Sequence, residues 1–269
     1  MQGASLVNVP LRRLLVVGDS SGIPGLLQRI PASRVVGMVA AENRPQYHDK
    51  LKLIAQDIGV PLLIQPPKLS PRYADFMNGV MQTAPDGLIC NSYSMLIHAD
   101  VLSIVSGRAF NVHAALLPRN RGPNPVQWAL IRGDARTGVS LHVMSAVFDA
   151  GAVIDQEPLD ILMLDTWVTL SSRLASASER LLDRVLPLLL KGDWQEVPQD
   201  ESSASSNPRI SPESFEIDFK QITDLQIYNL IRGQVSPLNG AYLTTATGVL
   251  RFASMLTLAD VAELRALHA

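Results

Sequence analysis

Short apolar runs separated by polar, turn-rich stretches dominate the first half of the chain. Leu14 to Val17 is one such run, VVGMVA from Val35 to Ala40 a second, VPLLIQPP a third and GLICNSY a fourth. Runs of this length, bounded by Gly, Pro and small polar residues, predict strands buried on both faces. Between them GIPGLLQRI, KLIAQDIGV and Pro71 to Thr83 carry apolar residues at helical spacing, the second of them closing at Gly59. Strand and helix taking turns in this way predict a doubly wound, mostly parallel sheet, which binds its ligands beyond the carboxyl ends of its strands.

A further strand, through Arg108, Ala109 and Phe110, delivers Asn111 and His113 on one face because side chains alternate along a strand. The following LLPRNRGPNP contains Pro118, Pro123 and Pro125 with Gly122, and is predicted to be a loop shaped by locked φ angles. Next come a helix from Val126 to Arg132 closing at Gly133, the strand GVSLHVM, and a turn that presents Asp149 just before Gly151. AVIDQEPLDI reads as a strand or edge. Thr169 to Leu190 reads as one long amphipathic helix, with Leu170, Leu174, Leu181, Val185 and Leu189 on its apolar face.

Gln199 to Asn207, QDESSASSN, is too small and polar to bury a core and is expected to be a linker. Beyond it SFEIDFKQ alternates like a strand, ITDLQIYNLIRGQ is an amphipathic helix with Thr223 as N-cap, and AYLTTATGVLRFASMLTL suggests two strands joined at Thr247 and Gly248. The pattern predicts an α/β fold: a Rossmann-like doubly wound sheet over residues 11–198, a linker over 199–208 and a small α+β appendage over 209–269.

Composition narrows the functional classes. In 269 residues with 47% hydrophobic and 18% charged positions, the formal net charge is −2. No basic surplus points to nucleic acid, so none is expected as a partner. The single Cys90 excludes an internal disulfide and, within the apolar GLIC, reads as a buried spectator. MQGASLVNVPLRRLLVVG never reaches a long apolar core, and no apolar run approaches ~20 residues, so neither export signal nor membrane span is expected and the protein is placed in the cytoplasm. GDSSG could cradle a phosphate, but it lacks a GxGxxG pattern and a phosphate-binding lysine, and Asp19 would repel an anion. The five histidines show no HxxxH pairing, so no metal is expected, and a Ser hydrolase lacks its GxSxG elbow.

The stretch FNVHAALLPRNRGPNPVQWALIRGDARTGVSLHVMSAVFDAG resembles the signature of the 10-formyltetrahydrofolate-dependent formyltransferases. These include the glycinamide ribonucleotide, methionyl-tRNA and amino-sugar enzymes. The resemblance rests on an NxHxSLLP strand end, an RG-P loop, a TGV strand and a DxG turn, with Ala115 in place of the usual Ser and Ala152 in place of the common acidic residue. It implies Asn111, His113 and Asp149 as catalytic residues and N10-formyltetrahydrofolate as formyl donor. It also implies that SYSMLIHADVL is the folate-binding segment, with Ser94, Met95, Leu96 and Ile97, joined by Val147 and Phe148, as donor contacts. Among the family's members the loop after the second strand often helps bind the amine, which makes Asn43, Arg44 and His48 candidates. His98 reads instead as a capping or surface residue ahead of Asp100.

Formyl transfer to an amine passes through a tetrahedral oxyanion, with a proton to remove from the attacking nitrogen and one to give to the leaving nitrogen. An Asn amide can donate to the oxyanion, a His can donate beside it, and an Asp can orient the imidazole and relay protons. The expected acceptor is a small-molecule amine, in particular an amino-sugar nucleotide whose phosphates would meet Arg44, Arg119 and Arg121. Methionyl-tRNA or siderophore-type amine formylation, a formyltetrahydrofolate hydrolase and a non-catalytic folate-binding protein are the alternatives. The short leader leaves no room for the hydrolases' regulatory domain, and a homodimer stays open.

Overall fold

The structure, a computed structural model, describes residues 9–19 and 22–268. The alternation read from the sequence builds a seven-stranded sheet. Its strands are β1 (Leu14–Val17), β2 (Val35–Ala41), β3 (Leu62–Gln65), β4 (Gly87–Asn91), β5 (Ala109–His113), β6 (Arg136–Val143) and β7 (Val153–Asp160), in the spatial order β3-β2-β1-β4-β5-β6-β7. β1 through β5 pair in parallel, and β6 runs antiparallel to β5. The order turns outward on both sides of the β1–β4 pair, which is where a doubly wound sheet opens its crevice.

Helices α1 (Gly22–Leu27), α2 (His48–Asp57), α3 (Tyr73–Thr83) and α4 (Ala99–Ile104) lie between the parallel strands, α5 (Pro125–Arg132) between β5 and β6, and α6 (Trp167–Lys191) after β7. Every residue of β1 is buried, as a strand covered on both faces requires. Val17, Leu88, Cys90 and Ala109 pack with Tyr73, Phe76 and Val80 of α3 and Val101 of α4 in one apolar cluster. No helix among the described residues is long and apolar enough to cross a membrane.

The chain divides into two compact units. One comprises the chain up to His113 with Ser140–Gln156 and Ser178–Gln199; the other comprises Ala114–Val139, Glu157–Ala177 and Asp200–Ala269. In the second unit α7 (Asp224–Arg232) starts at Thr223, whose hydroxyl accepts from the Gln226 N–H while the Gln226 side chain returns to the Thr223 N–H. β8 (Ala241–Thr245) and β9 (Gly248–Phe252) form the expected antiparallel hairpin.

Two elements differ from the sequence pattern. SFEIDFKQ is not a strand: Pro212–Phe215 is a 3-10 turn closed by the Ser211 and Ser214 side chains, and only Glu216 bridges to Tyr242. Its alternation still buries Phe215 and Ile217, but in the core around α7 rather than on a sheet face. The chain also ends in a helix absent from the sequence reading, α8 (Leu258–His268), which buries only Val261 and so offers little apolar periodicity to detect. Residues 199–208 are closely bonded: Arg121 N–H donates to the Ser205 carbonyl at 2.9 Å, Asn207 N–H to the Arg121 carbonyl at 2.8 Å, and Ser205 N–H to the Pro118 carbonyl at 3.1 Å.

Candidate active site

β5 and β6 meet in a register that sets Asn111 opposite His142 and His113 opposite Ser140. Residues directly opposite on an antiparallel pair share a face, and Asn111 Nδ2 stands 3.1 Å from His142 Nε2. After β6 the chain turns through Asp149, held at a positive φ of 52°, a conformation that a short polar side chain tolerates. The backbone then passes so close to β6 that a Cβ on Gly151 would lie 1.9 Å from the Val143 carbonyl oxygen, so this position accepts only glycine. Gln199 fastens the turn from the far end of the same unit, its Nε2 donating to the carbonyls of Asp149 and Gly151, each at 2.7 Å.

The turn carries the Asp149 carboxylate to two imidazoles. Oδ2 is 3.5 Å from His113 Nδ1 and Oδ1 is 3.3 Å from His142 Nε2. His113, His142 and Asp149 are nearly closed off from water, with side-chain exposures of 8%, 2% and 12%. The tautomer of His142 follows from its other nitrogen: Nδ1 lies 2.9 Å from the Val143 carbonyl, which can only accept, so Nδ1 carries a proton. In the neutral ring Nε2 then accepts one Asn111 amide hydrogen, which fixes the plane of that amide and leaves its second hydrogen to point elsewhere. The same bare Nε2 faces Asp149 Oδ1, acceptor against acceptor. A proton placed between them turns that contact into a charge-assisted hydrogen bond. The cluster can therefore orient a donor and hold a proton.

The expected catalytic residues Asn111, His113 and Asp149 thus lie within one cluster of polar side chains. His142 and Gln199 were not singled out in the sequence. The signal for His142 was present, since GVSLHVM places it directly across from Asn111, on the same face, once the antiparallel register is known; Gln199 lay in a stretch read as linker. Ala115 is fully buried, and the Ala152 carbonyl accepts from Val143 N–H at 2.9 Å.

Of the expected donor contacts, Leu96 is 45% exposed, Val147 65% and Phe148 61%. Ser94 and Met95 are half-buried, and the Ile97 side chain belongs to the apolar core with Val101 and Val105. His98 stands at the N-cap of α4, its carbonyl accepting from Val101 and Leu102 while its ring lies edge-on to Tyr73. Arg44 is exposed beside Asn43, whose side chain accepts from Ser94 Oγ, and His48 Nε2 is 2.9 Å from the Ala41 carbonyl. In the other unit Arg119 is exposed and 3.6 Å from Asp134, whereas Arg121 is buried and donates through both Nη atoms to the two Glu201 oxygens at 2.8 and 2.9 Å. Arg121 is thus engaged as a brace between the proline loop and the segment after Asp200. In GDSSG, Ser20 and Ser21 lie outside the described residues; the Asp19 carboxylate is taken up by the Ala41 and Ser94 amides.

The sequence matches the formyl transferase family over residues 12–186, the larger part of the chain. The chain belongs to the formyl transferase family. Solved structures share the formyl transferase architecture at low sequence identity. A sugar N-formyltransferase from Shewanella superposes with a TM-score of 0.73 at 18% identity, covering 91% of this chain and 98% of its own. An N-formyltransferase from Helicobacter canadensis, in complex with folinic acid and dTDP-3-aminofucose, gives 0.65 at 19% identity, covering 82% and 80%. The phosphoribosylglycinamide formyltransferase of Streptococcus pneumoniae gives 0.58 at 23% identity, covering 66% and 98%.

Proposed function

We propose that this formyltransferase moves the formyl group of N10-formyltetrahydrofolate onto the amine of a nucleotide-linked amino sugar in the cytoplasm. The observation that carries the chemistry is the group Asn111, His113, His142 and Asp149, four polar side chains gathered where β5 and β6 pair, the last three nearly closed off from water. Attack of the amine on the formyl carbon breaks the carbonyl π bond and puts negative charge on its oxygen. The Asn111 hydrogen not engaged by His142 stabilises that charge, and one such donor in a dry site is worth ~3 kcal/mol. Collapse expels N10 of the folate. The proton lost by the attacking nitrogen is the one that the leaving nitrogen needs, and His113, held against Asp149, carries it. No covalent enzyme intermediate is required.

The acceptor class is supported by the sugar N-formyltransferases among the fold neighbours and by exposed Arg44 beside the loop that reaches Ser94. The deciding assay follows tetrahydrofolate release from 10-formyltetrahydrofolate with aminodeoxy-sugar nucleotides, glycinamide ribonucleotide, hydroxyornithine-type amines or charged initiator tRNA. Release dependent on a sugar nucleotide is expected. Release without any amine would make the protein a hydrolase, and release driven by tRNA or a phosphate-free amine would overturn the acceptor class.

A further inference from the structure

The loop that follows β4 exposes Leu96 and half-exposes Met95, while Ile97 roots it in the core. It is held from beneath by side chains from the ends of other strands. Gln65, the last residue of β3 and 1% exposed, uses both ends of its amide: Nε2 donates to the Leu96 carbonyl at 2.8 Å, and Oε1 accepts from the Tyr93 hydroxyl at 2.9 Å. Asp19, just past β1, accepts from Ser94 N–H at 2.7 Å with one oxygen and from Ala41 N–H at 2.9 Å with the other. Ser94 Oγ adds a bond to Asn43 Oδ1 at 2.8 Å.

We propose that Gln65 is a positioning residue for the formyl donor, fixing the backbone of residues 93–96 in the form that receives the folate. The proposal rests on the reading above, in which this loop takes the folate ring system. A flat heterocycle is held by apolar side chains above and below and by backbone groups at its edge. Each loop bond that is already fixed before binding removes an ordering cost from the binding step. Gln65 suits the task where its neighbours in chemistry do not: Asn is one methylene too short to span both partners, and Glu has no hydrogen to give the Leu96 carbonyl. Burial raises the Tyr93 hydroxyl well above its ordinary value, so it remains a donor to Gln65 throughout the working range. The two bonds of the Gln65 amide both run to the loop, to the Leu96 carbonyl and the Tyr93 hydroxyl, so its influence belongs to donor affinity and not to turnover.

The test is calorimetric binding of folinic acid to the full chain, paired with steady-state kinetics in 10-formyltetrahydrofolate. Gln65→Leu, which keeps the volume and removes both bonds, should weaken folinic acid binding and raise the donor KM about tenfold, with kcat at saturating donor within about twofold of wild type. Tyr93→Phe removes one of the two bonds and should produce about a threefold effect in the same direction; it carries the test if Gln65→Leu does not fold. Unchanged affinity in both variants, or a fall in kcat per folded molecule with KM unchanged, overturns the proposal. A wild-type chain that does not bind folinic acid sinks the folate reading itself, a result distinguishable from either.

Discussion

Two polar clusters, one in each compact unit, are both largely withdrawn from water and behave as opposites. In the first, a carboxylate faces two imidazoles at 3.3 and 3.5 Å and an amide meets one of those rings at 3.1 Å, with acceptor set against acceptor in the neutral state. In the second, Arg232 is 4% exposed. Its Nε donates to Asn229 Oδ1 at 2.8 Å, and its Nη1 reaches the carbonyls of Leu162, Met163 and Asp165 at 3.0 to 3.4 Å. There one cation with only donors meets only acceptors. The first arrangement changes its hydrogen bonding whenever a proton arrives or leaves; the second has one satisfactory state. Burial of polar groups alone therefore does not mark an active site. What marks it is a set of groups whose hydrogen bonds can be made in more than one way.

The largest effect that would sharpen this contrast is on turnover. His113→Ala and Asp149→Asn should each lower kcat by roughly 10² to 10⁴, with the thermal midpoint nearly unchanged, since Asn also tolerates the left-handed conformation at 149. Near-normal kcat in either purified variant would remove the assigned roles. Arg232→Met should do the reverse, costing about 3 kcal/mol of stability by leaving buried carbonyls unpaired while the folded fraction keeps wild-type kcat and KM. Denaturant titration alongside kinetics decides it, and a kinetic defect per folded molecule would erase the distinction between the clusters.

The smallest effect lies at a half-buried counterpart, Asp100. Partial burial works to raise its carboxyl, but hydrogen bonds from Lys68, Tyr73 and Val101 N–H outweigh it and hold the group below the ordinary carboxylate value. A depressed folded value means that the contribution is present above the unfolded pKa and is lost as pH falls through the folded one. Asp100→Asn should therefore cost at most ~1 kcal/mol at pH 7, and its stability curve should converge on wild type in acid. A constant gap at all pH values would show that charge plays no part.

The parallel core of the sheet was legible because β1, β2 and β4 are almost wholly buried and read as unbroken apolar runs, and the candidate site was legible because Asn111, His113 and Asp149 sit in local motifs. What stayed hidden depends on register or on distance along the chain. His142 becomes meaningful only once β6 is known to lie antiparallel with residue 142 opposite 111. Gln199 acts on a turn about fifty residues earlier, and Gln65 on a loop about thirty residues later. SFEIDFKQ misled for a related reason: alternation reports which residues are buried, and a 3-10 turn followed by a single bridge can bury the same ones.

Cys90 lies directly beside Asn111 across the β4–β5 pair. Burial, with Asp19 and Asp149 adding to it, pushes its thiol far above the ordinary range. Only the thiolate reacts with disulfide reagents, so in the closed protein this sulfur is silent, and labelling must wait until β4 and β5 separate. Its rate of modification is consequently a clock for opening of the sheet beside Asn111, readable without any introduced probe. A donor analogue that binds only the closed form should slow that clock in proportion to its saturation.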